Sequence, residues 1–380
     1  MKIKLLPVLI ILLSYNFATA QVVETLDSLS NDVLTNIHKD KIVISDTSKA
    51  SAFKAYPYAF YTPESKFSVG AGGIFTFYTG DGDKLKPSKI GFGGFYSTNK
   101  QYKISMNNSF YFDNNRRFIH LPISYGRFVN KFWGIGKDVP DMENSSYTME
   151  TLAATLTFQL PPAWFLADRS GLIIDYDYTE IVDKQGNKLL ENDTLSGVNG
   201  GQLIGIGADL VWDTRDNIFF PNSGGYQYFK SVFYPGISDN VFAFFELDVR
   251  HYRAFSKDHV FAANFFLQAA TGDTPFYKLP AIGGKQMRGY FFGRYRDNFM
   301  AMIQVEYRQY FYKKLGFVVF GSVGNVSSSI LDYNFQSIKY TYGTGLRYLF
   351  NEKEKINLRA DVGFGPDGNM GIYFGIEEAF

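Results

Sequence analysis

The sequence of 380 residues lacks cysteine, an excess of charge of either sign, and any long apolar run. Without cysteine there is no disulfide framework, no thiolate zinc site, no cysteine nucleophile and no acylated cysteine anchor. The formal net charge is +1, from 38 basic and 37 acidic residues. A nucleic-acid partner is therefore not expected, because neutralising phosphate requires a basic surface. No segment reaches the roughly 18 apolar residues of a transmembrane helix.

Aromatic residues and glycine are abundant instead. The chain has 38 Phe, 27 Tyr and 3 Trp, together 18% of its residues, and 36 glycines, whereas charged residues make up only 20%. Aromatic side chains are enriched in β-strands. The composition favours an all-β protein over a helical one.

The N-terminus has the features of an export signal. Lys2 and Lys4 precede a short apolar core at residues 5–13, and Ala18-Thr19-Ala20 fits an A-x-A cleavage site. A membrane anchor is the alternative, but so short a core does not span a bilayer. We therefore predict a signal peptide over residues 1–20 and export of the mature chain.

Residues 21–52 form the next predicted unit, a short periplasmic linker or helix. Leu26, Leu29, Val33 and Ile37 have the spacing of an amphipathic helix. The segment is also rich in Ser, Asp, Asn and Thr, which favours a disordered linker. Both interpretations remain open from the sequence.

From residue 53 to residue 380 apolar and polar residues alternate with a period of two, which indicates β-strands. Residues 356–364 are an example: the apolar side chains from Ile356 to Phe364 alternate with Asn357, Arg359 and Asp361. Full charges thus cluster on one face, while the other face is almost purely apolar. A hydrocarbon-facing exterior and a wet interior produce this pattern in a transmembrane barrel.

Sixteen such strands are predicted, and their even number fits a 16-stranded antiparallel transmembrane β-barrel. A periplasmic β-sandwich is the alternative, but soluble strands are usually shorter. The predicted strands are 53–61, 66–79, 88–98, 101–112, 116–130, 147–160, 163–178, 200–213, 224–236, 241–255, 258–270, 298–311, 315–325, 336–350, 354–364 and 370–380.

The connections alternate in length, and this predicts the orientation of the barrel. Turns near 255–258 and 311–315 are short, whereas those at 131–146, 179–199 and 271–297 are long. Outer-membrane barrels have short periplasmic turns and long outer loops. We therefore expect an outer-membrane location with both termini periplasmic and with lipid around the barrel.

The last predicted strand ends like a C-terminal assembly signal of outer-membrane barrels. Phe374 and Ile376 lie on one face, and Phe380 is the last residue of the sequence. An aromatic residue there would anchor the strand at the membrane interface. Glu378 stands where an apolar residue would be usual, and an ordinary terminal strand is the alternative interpretation.

Two motifs lie between predicted strands. The loop 271–297, between the eleventh and twelfth strands, contains Gly283-Gly284-Lys285-Gln286-Met287-Arg288-Gly289-Tyr290. The turn between the eighth and ninth strands contains Asp213-Thr214-Arg215-Asp216 and, further on, Pro221-Asn222-Ser223-Gly224. The first resembles the G-G…(V/L/M)-R-G-(F/Y) motif, and the second the D-x-R-D…P-x-x-G turn, of the BamA/TamA family of bacterial surface antigen barrels.

This resemblance covers about residues 53–380 and implies a function. Members of that family insert or move proteins, and in some cases lipids, across the outer membrane through a weak seam between the first and last strands. Pro57 would interrupt the first strand and remove a ladder donor, and Pro63 would end that strand. The family's POTRA domains are longer than segment 21–52. We therefore expect a barrel that lacks them and works as an accessory subunit with other outer-membrane or periplasmic proteins.

Arg288 is the most informative residue of the loop motif. Gly283, Gly284 and Gly289 allow backbone conformations that let the loop fold inward, and a confined guanidinium then requires an anionic partner. The alternation places Glu306 on the inner face of its strand, and the resemblance implies the same pairing. The family's second acid, in an F-x-D-x-G pattern, is replaced here by Ser322. Either the loop is then held less tightly, or another inward acid such as Glu246 or Asp361 assists. A solvated Arg288 in an outer loop is the alternative.

A structural role is predicted for the turn motif, because the sequence Pro-Asn-Ser-Gly favours a turn without any further function. The residues of this motif are Asp213, Arg215, Asp216, Pro221 and Gly224.

Catalytic chemistry is not expected. The four histidines have no metal-binding spacing, and no nucleophile elbow is present. We predict no enzyme, no metal and no cofactor. A passive pore or surface-exposed barrel without assembly activity remains the alternative function.

Overall fold

The structure is a computed structural model that describes residues 51–380. It omits 63–65, 81–84, 86–87, 143–144, 161–166, 218–219, 238–239, 257, 313, 352–355, 367 and 377. The predicted signal peptide, and segment 21–52 up to residue 50, lie outside the described residues.

The described part of the chain is almost entirely β-strand. The strands are β1 (Ala52–Thr62), β2 (Lys66–Phe77), β3 (Ser88–Ser97), β4 (Tyr102–Phe112), β5 (Arg117–Lys131), β6 (Ser146–Leu160), β7 (Arg169–Asp183), β8 (Gly200–Asp213), β9 (Ser223–Pro235), β10 (Val241–Ser256), β11 (His259–Gly272), β12 (Ala281–Ile282), β13 (Tyr295–Arg296), β14 (Phe299–Tyr312), β15 (Leu315–Ser327), β16 (Lys339–Asn351), β17 (Ile356–Phe364) and β18 (Met370–Ile376). The α-helix α1 covers Lys188–Glu191. No helix among the described residues is long and apolar enough to cross a membrane.

Sixteen strands form one antiparallel sheet in chain order, and β12 and β13 pair separately within the loop after β11. The sheet curls around an interior, the lumen, so that distant strands meet across it. Lys278, in the loop after β11, binds Asp177 of β7 with 2.7 Å between Nζ and Oδ2. The 16-stranded antiparallel transmembrane β-barrel predicted from the alternation is therefore confirmed.

Alternating residues face the lumen and the lipid. On β16 and β17, Leu346 and Leu358 are 65% and 39% exposed, whereas Arg347 and Asn357 are 2% and 0% exposed. In a soluble protein leucine is usually buried and arginine exposed. The reversed pattern seen here fits a barrel with an apolar exterior around a polar interior.

The sheet begins at β1 and ends at β18, and among the described residues no hydrogen-bonded pairing joins these two strands. We call the junction between these two ends of the sheet the seam. The prediction that Pro57 interrupts the first strand was wrong, because β1 runs continuously from Ala52 to Thr62 with Pro57 in register opposite Ala71.

Two predicted strands differ from the observed ones by more than three residues at an end. The seventh covers Arg169–Asp183 rather than 163–178, and the last ends at Ile376 rather than 380. The residues after β18 turn into the lumen, as described below. At this end of the chain, packing inside the lumen determines where residues 378–380 lie, although the alternation pattern predicts that the strand continues through them.

Candidate functional site in the barrel lumen

The loop between β11 and β14, residues 273–298, folds into the lumen. It contains a short 3-10 turn at Phe276–Lys278 and a two-residue hairpin stem made by β12 and β13. Its apolar residues Ile282, Met287, Tyr290 and Tyr295 form one buried cluster with residues on the inner faces of β11, β14 and β15. This apolar contact holds the motif against the barrel wall.

The glycines of the motif have backbone conformations that other residues resist. Gly283 and Gly289 have φ of +119° and +127°. A Cβ atom at Gly289 would lie 2.9 Å from the main-chain carbon of Phe364 in β17. Met287, which is not glycine, also has a positive φ of 138° and is fully buried. The surrounding packing imposes this strained conformation.

Arg288 is fully buried at the centre of the site. It binds Glu306 of β14 through Nη2, and its Nη1 donates to Oδ2 of Asp361 in β17 at 2.6 Å. Its guanidinium carbon also lies 3.6 Å from the ring centre of Phe320. Burial alone would lower the pKa of Arg288, but the two carboxylates outweigh burial and raise the pKa above its usual value. The arginine therefore stays charged, and its loop is tied to two strands.

The acid that replaces the missing aspartate of the family pattern is Asp361. Ser322 is buried, and its hydroxyl has no hydrogen-bond partner among the described residues. Glu246, the other inward acid considered from the sequence, instead accepts a hydrogen bond from Gln268 at 2.8 Å. The second carboxylate thus comes from β17 rather than from β15.

Three further charged residues extend the group of Arg288, Glu306 and Asp361 into a closed ring. Arg308 binds Glu306 at 2.9 Å and Glu378 at 3.7 Å. Arg347 binds Glu378 at 2.7 Å and Asp361 at 2.5 Å. Every side chain of this charge ring is at most 1% exposed. Its members, in order, are Arg288, Glu306, Arg308, Glu378, Arg347 and Asp361.

Only part of this ring is predicted by the sequence. Arg288 and Glu306 are predicted as a pair, with Glu246 or Asp361 as the assisting acid, whereas Arg308, Arg347 and Glu378 are not assigned to the site. Arg308 and Arg347 lie at inward positions of the alternation, which was the available signal. The position of Glu378 had looked like a departure from an assembly signal, and the structure places it as an ion-pair partner.

Phe374 and Ile376 lie on β18, but Phe380 does not. Phe380 is 7% exposed and packs inside the lumen against Tyr252 of β10 and Ala262 of β11. The expectation that Phe380 anchors the strand at the membrane interface was therefore wrong. Its ring is buried by the opposite wall of the barrel.

The turn motif lies apart from the charge ring, at the turn between β8 and β9. Arg215 binds Asp213 at 2.8 Å, and Asp216 accepts a hydrogen bond from the main chain of Asn222 at 2.8 Å. Pro221 is buried, and Gly224, the second residue of β9, has φ of +93°. The contacts of this motif are mostly internal to the turn.

Loops cover the lumen at the end opposite this turn. Phe132, Leu190 and Phe276, from the loops that follow β5, β7 and β11, share one buried apolar cluster. Asn187 donates to the main-chain oxygens of Phe132 and Ser145 at 3.1 and 2.9 Å. The three loops therefore form a packed cap.

The comparisons with known proteins agree with this geometry. A model of the Omp85 superfamily domain matches residues 80–380. The structure is similar to BamA from Haemophilus ducreyi lacking POTRA domains 1-3, with 14% identity, a TM-score of 0.61, and coverage of 87% of this chain and 69% of that one. It is also similar to CdiB from Acinetobacter baumannii, with 12% identity, a TM-score of 0.53, and coverage of 87% and 60%.

No curated protein matches the chain at a significant level. Identities as low as those of the two structures show the fold alone. The family model, in contrast, matches most of the chain, and it confirms the resemblance to BamA/TamA-like barrels. This chain belongs to the Omp85 superfamily.

Proposed function

We propose that this barrel takes part in inserting or translocating proteins, or lipids, at the outer membrane. One observation carries the proposal: loops fill the lumen along the axis, and among the described residues no pairing joins β1 to β18. A barrel of this kind opens towards the lipid more readily than through its centre.

The block along the axis has two layers. The outer cap joins three loops through a shared apolar cluster and the hydrogen bonds of Asn187. Below it, the loop 273–298 is held by the charge ring. A lumen of sixteen strands would otherwise be wide enough for water and solutes. These layers count against the alternative of a passive pore.

The unpaired wall supports a role in insertion. The facing edges of β1 and β18 carry main-chain donors and acceptors, and such groups are costly when unpaired in a bilayer. A substrate strand that paired with either edge would satisfy them by β-augmentation. The seam can therefore serve as the place where a client strand first binds.

The remaining expectations belong to the same proposal. Residues 1–20 would direct export, both termini would face the periplasm, and lipid would surround the barrel. Arg288 and Glu306 would hold the loop closed, and the turn motif of Asp213–Gly224 would stiffen the periplasmic rim. Phe374 and Ile376 of β18 would contribute to assembly. Other proteins of the outer membrane or periplasm would supply or receive the substrate.

An insertion assay in liposomes tests this function. Purified protein is placed in the bilayer, and a small unfolded outer-membrane barrel is added. Folding of the added barrel is followed by its heat-modifiable migration in gels. We expect faster folding than in empty liposomes, and activity without other proteins would argue against an accessory role.

A locked seam provides the control. Thr62 ends β1 and Met370 begins β18, so these residues would face the same rim of an antiparallel seam. Because the chain has no cysteine, Thr62→Cys and Met370→Cys can be joined by a reducible cross-linker without side reactions. Joining them should stop the acceleration and reduction should restore it. The same acceleration from the locked and unlocked proteins would refute the use of the seam.

A further inference from the structure

A polar cavity of about 360 Å³ lies within the lumen, and two segments outside the barrel strands contribute to its lining. Lys285 and Gln286 of the inward loop line one part, and Ala379 and Phe380 line another. The inner faces of β9, β10, β11 and β14 supply the rest. This luminal chamber is therefore bounded by the loop and by the segment that follows β18.

Segment 378–380 is bound inside the barrel by several contacts. Phe380 packs on Tyr252 and Ala262, near the ends of β10 and β11 that join at their short turn. Arg308 donates from Nη2 to the main-chain oxygen of Phe380 at 2.9 Å. Glu378 accepts a hydrogen bond from Asn357 at 2.9 Å in addition to its two arginines. The segment thus closes the chamber on the side of the short turns.

The charge ring connects this segment to the loop. Glu378 has no direct contact with Arg288 among the interactions of the described residues. Arg308 and Arg347 each bind Glu378, and each also binds one of the two acids that hold Arg288. If Glu378 lost its charge, Arg308 and Arg347 would each lose one carboxylate partner. The positive charges around Arg288 would then be balanced by one negative charge fewer.

A second contact joins the loop to β18 itself. The main-chain nitrogen of Gly289 donates to the hydroxyl of Tyr373 at 2.7 Å. The loop is therefore attached to the last strand by a neutral hydrogen bond and to the segment beyond it by the ring.

We propose that segment 378–380 is a plug of the luminal chamber and that the charge ring couples this plug to the loop 273–298. Release of either segment then loosens the other, because a coupling free energy between two sites acts equally in both directions. The loop and the plug work as one gate, and movement of β18 at the seam acts on both. The inference concerns this gate and does not depend on which substrate the barrel handles.

The absence of cysteine makes a direct test possible. A single Ala379→Cys reports on the plug through its rate of reaction with a membrane-impermeant maleimide, and trypsin cleavage after Lys285 reports on the loop. In folded protein, Arg288→Ala should speed the labelling of Ala379→Cys by at least about fivefold, the lower bound for a typical coupling. Glu378→Gln should speed cleavage after Lys285 by a similar factor.

Glu246→Gln is the matched control. Glu246 also lines the chamber and loses the same charge, but it is held by Gln268 and lies outside the ring. It should change neither rate. Only the heat-modifiable, folded fraction is scored, so a poorly folding variant reduces the signal without altering the rates.

Three results would overturn the proposal. Fast labelling of Ala379→Cys with Arg288 in place would show that the segment is no plug. A loop that stays protected in Glu378→Gln would show that the two segments are not coupled. Equal effects of Glu246→Gln and Glu378→Gln would assign the change to general luminal charge rather than to the ring.

Discussion

At the scale of single residues, the site depends on one guanidinium shared by two carboxylates. Arg288 can bind Glu306 and Asp361 at the same time because its planar fork presents donors in two directions. All three side chains are fully buried. Loss of one member of such a group leaves an unpaired buried charge, which is more costly than the net gain from the intact pair.

Arg288→Ala and Glu306→Ala are each expected to lower the free energy of unfolding by about 3–5 kcal/mol, the cost of breaking a buried ion pair. The double variant should be clearly less unstable than the sum, because the shared contact is lost only once. Urea unfolding of the purified protein, read from heat-modifiable migration, measures this. Arg288→Lys should recover part of the loss, and strictly additive effects would show that the residues are not coupled.

The sequence predicted this pair but not the whole ring. Strict alternation along β14 was enough to place Glu306 in the lumen. The inward charges of β10 and β17 left Glu246 and Asp361 as alternatives for the second acid. Glu378 could not be placed, because alternation in the last strand predicted a continuous edge up to Phe380. Only the folded barrel brings Arg308 of β14 and Arg347 of β16, which are not adjacent strands, to the same carboxylate.

At the scale of elements, the loop 273–298 combines an apolar anchor with a strained backbone. Gly284 and Gly289 offer a direct comparison within the same motif. At Gly284, φ is +63°, and the nearest atom to an added Cβ would be 3.5 Å away. At Gly289, φ is +127°, and an added Cβ would be 2.9 Å from the backbone of β17.

We therefore expect Gly289→Ala to release the loop and Gly284→Ala to be better tolerated. A side chain in a sparsely populated backbone region costs about 1–3 kcal/mol, and at Gly289 the close approach to β17 adds to that cost. Limited trypsin cleavage after Lys285 measures the loop in both variants. Equal sensitivity of the two variants would mean that the motif glycines serve chain flexibility and not close packing against β17.

Strand number and order were predictable at this scale, whereas strand ends and loop paths were not. A period of two depends only on residues that are neighbours in the chain, so strands can be recognised from the sequence alone. The path of the loop depends on contacts such as that of Gly289 with Tyr373, which lie far apart in sequence. The cap formed by Phe132, Leu190 and Phe276 likewise has no local signature.

At the scale of the whole molecule, loops close the barrel along its axis, and no pairing among the described residues joins β1 to β18 at the seam. The cap, the inward loop and segment 378–380 each occupy the interior at a different level. The charge ring joins the loop, the terminal segment and strands β14, β16 and β17. The fold is that of the Omp85 superfamily. The contacts of the charge ring hold the loop 273–298 and segment 378–380 inside the lumen of this chain.

Single-channel conductance of the purified protein in planar bilayers tests this closure most directly. We predict that the unmodified barrel is closed for most of the recording, because the cap and the locked loop block the lumen. Arg288→Ala should give longer and larger openings, since the loop is no longer held by Glu306 and Asp361, whereas Glu246→Gln should behave like the unmodified protein. A large and steady open state of the unmodified barrel would contradict the account and would identify a passive pore.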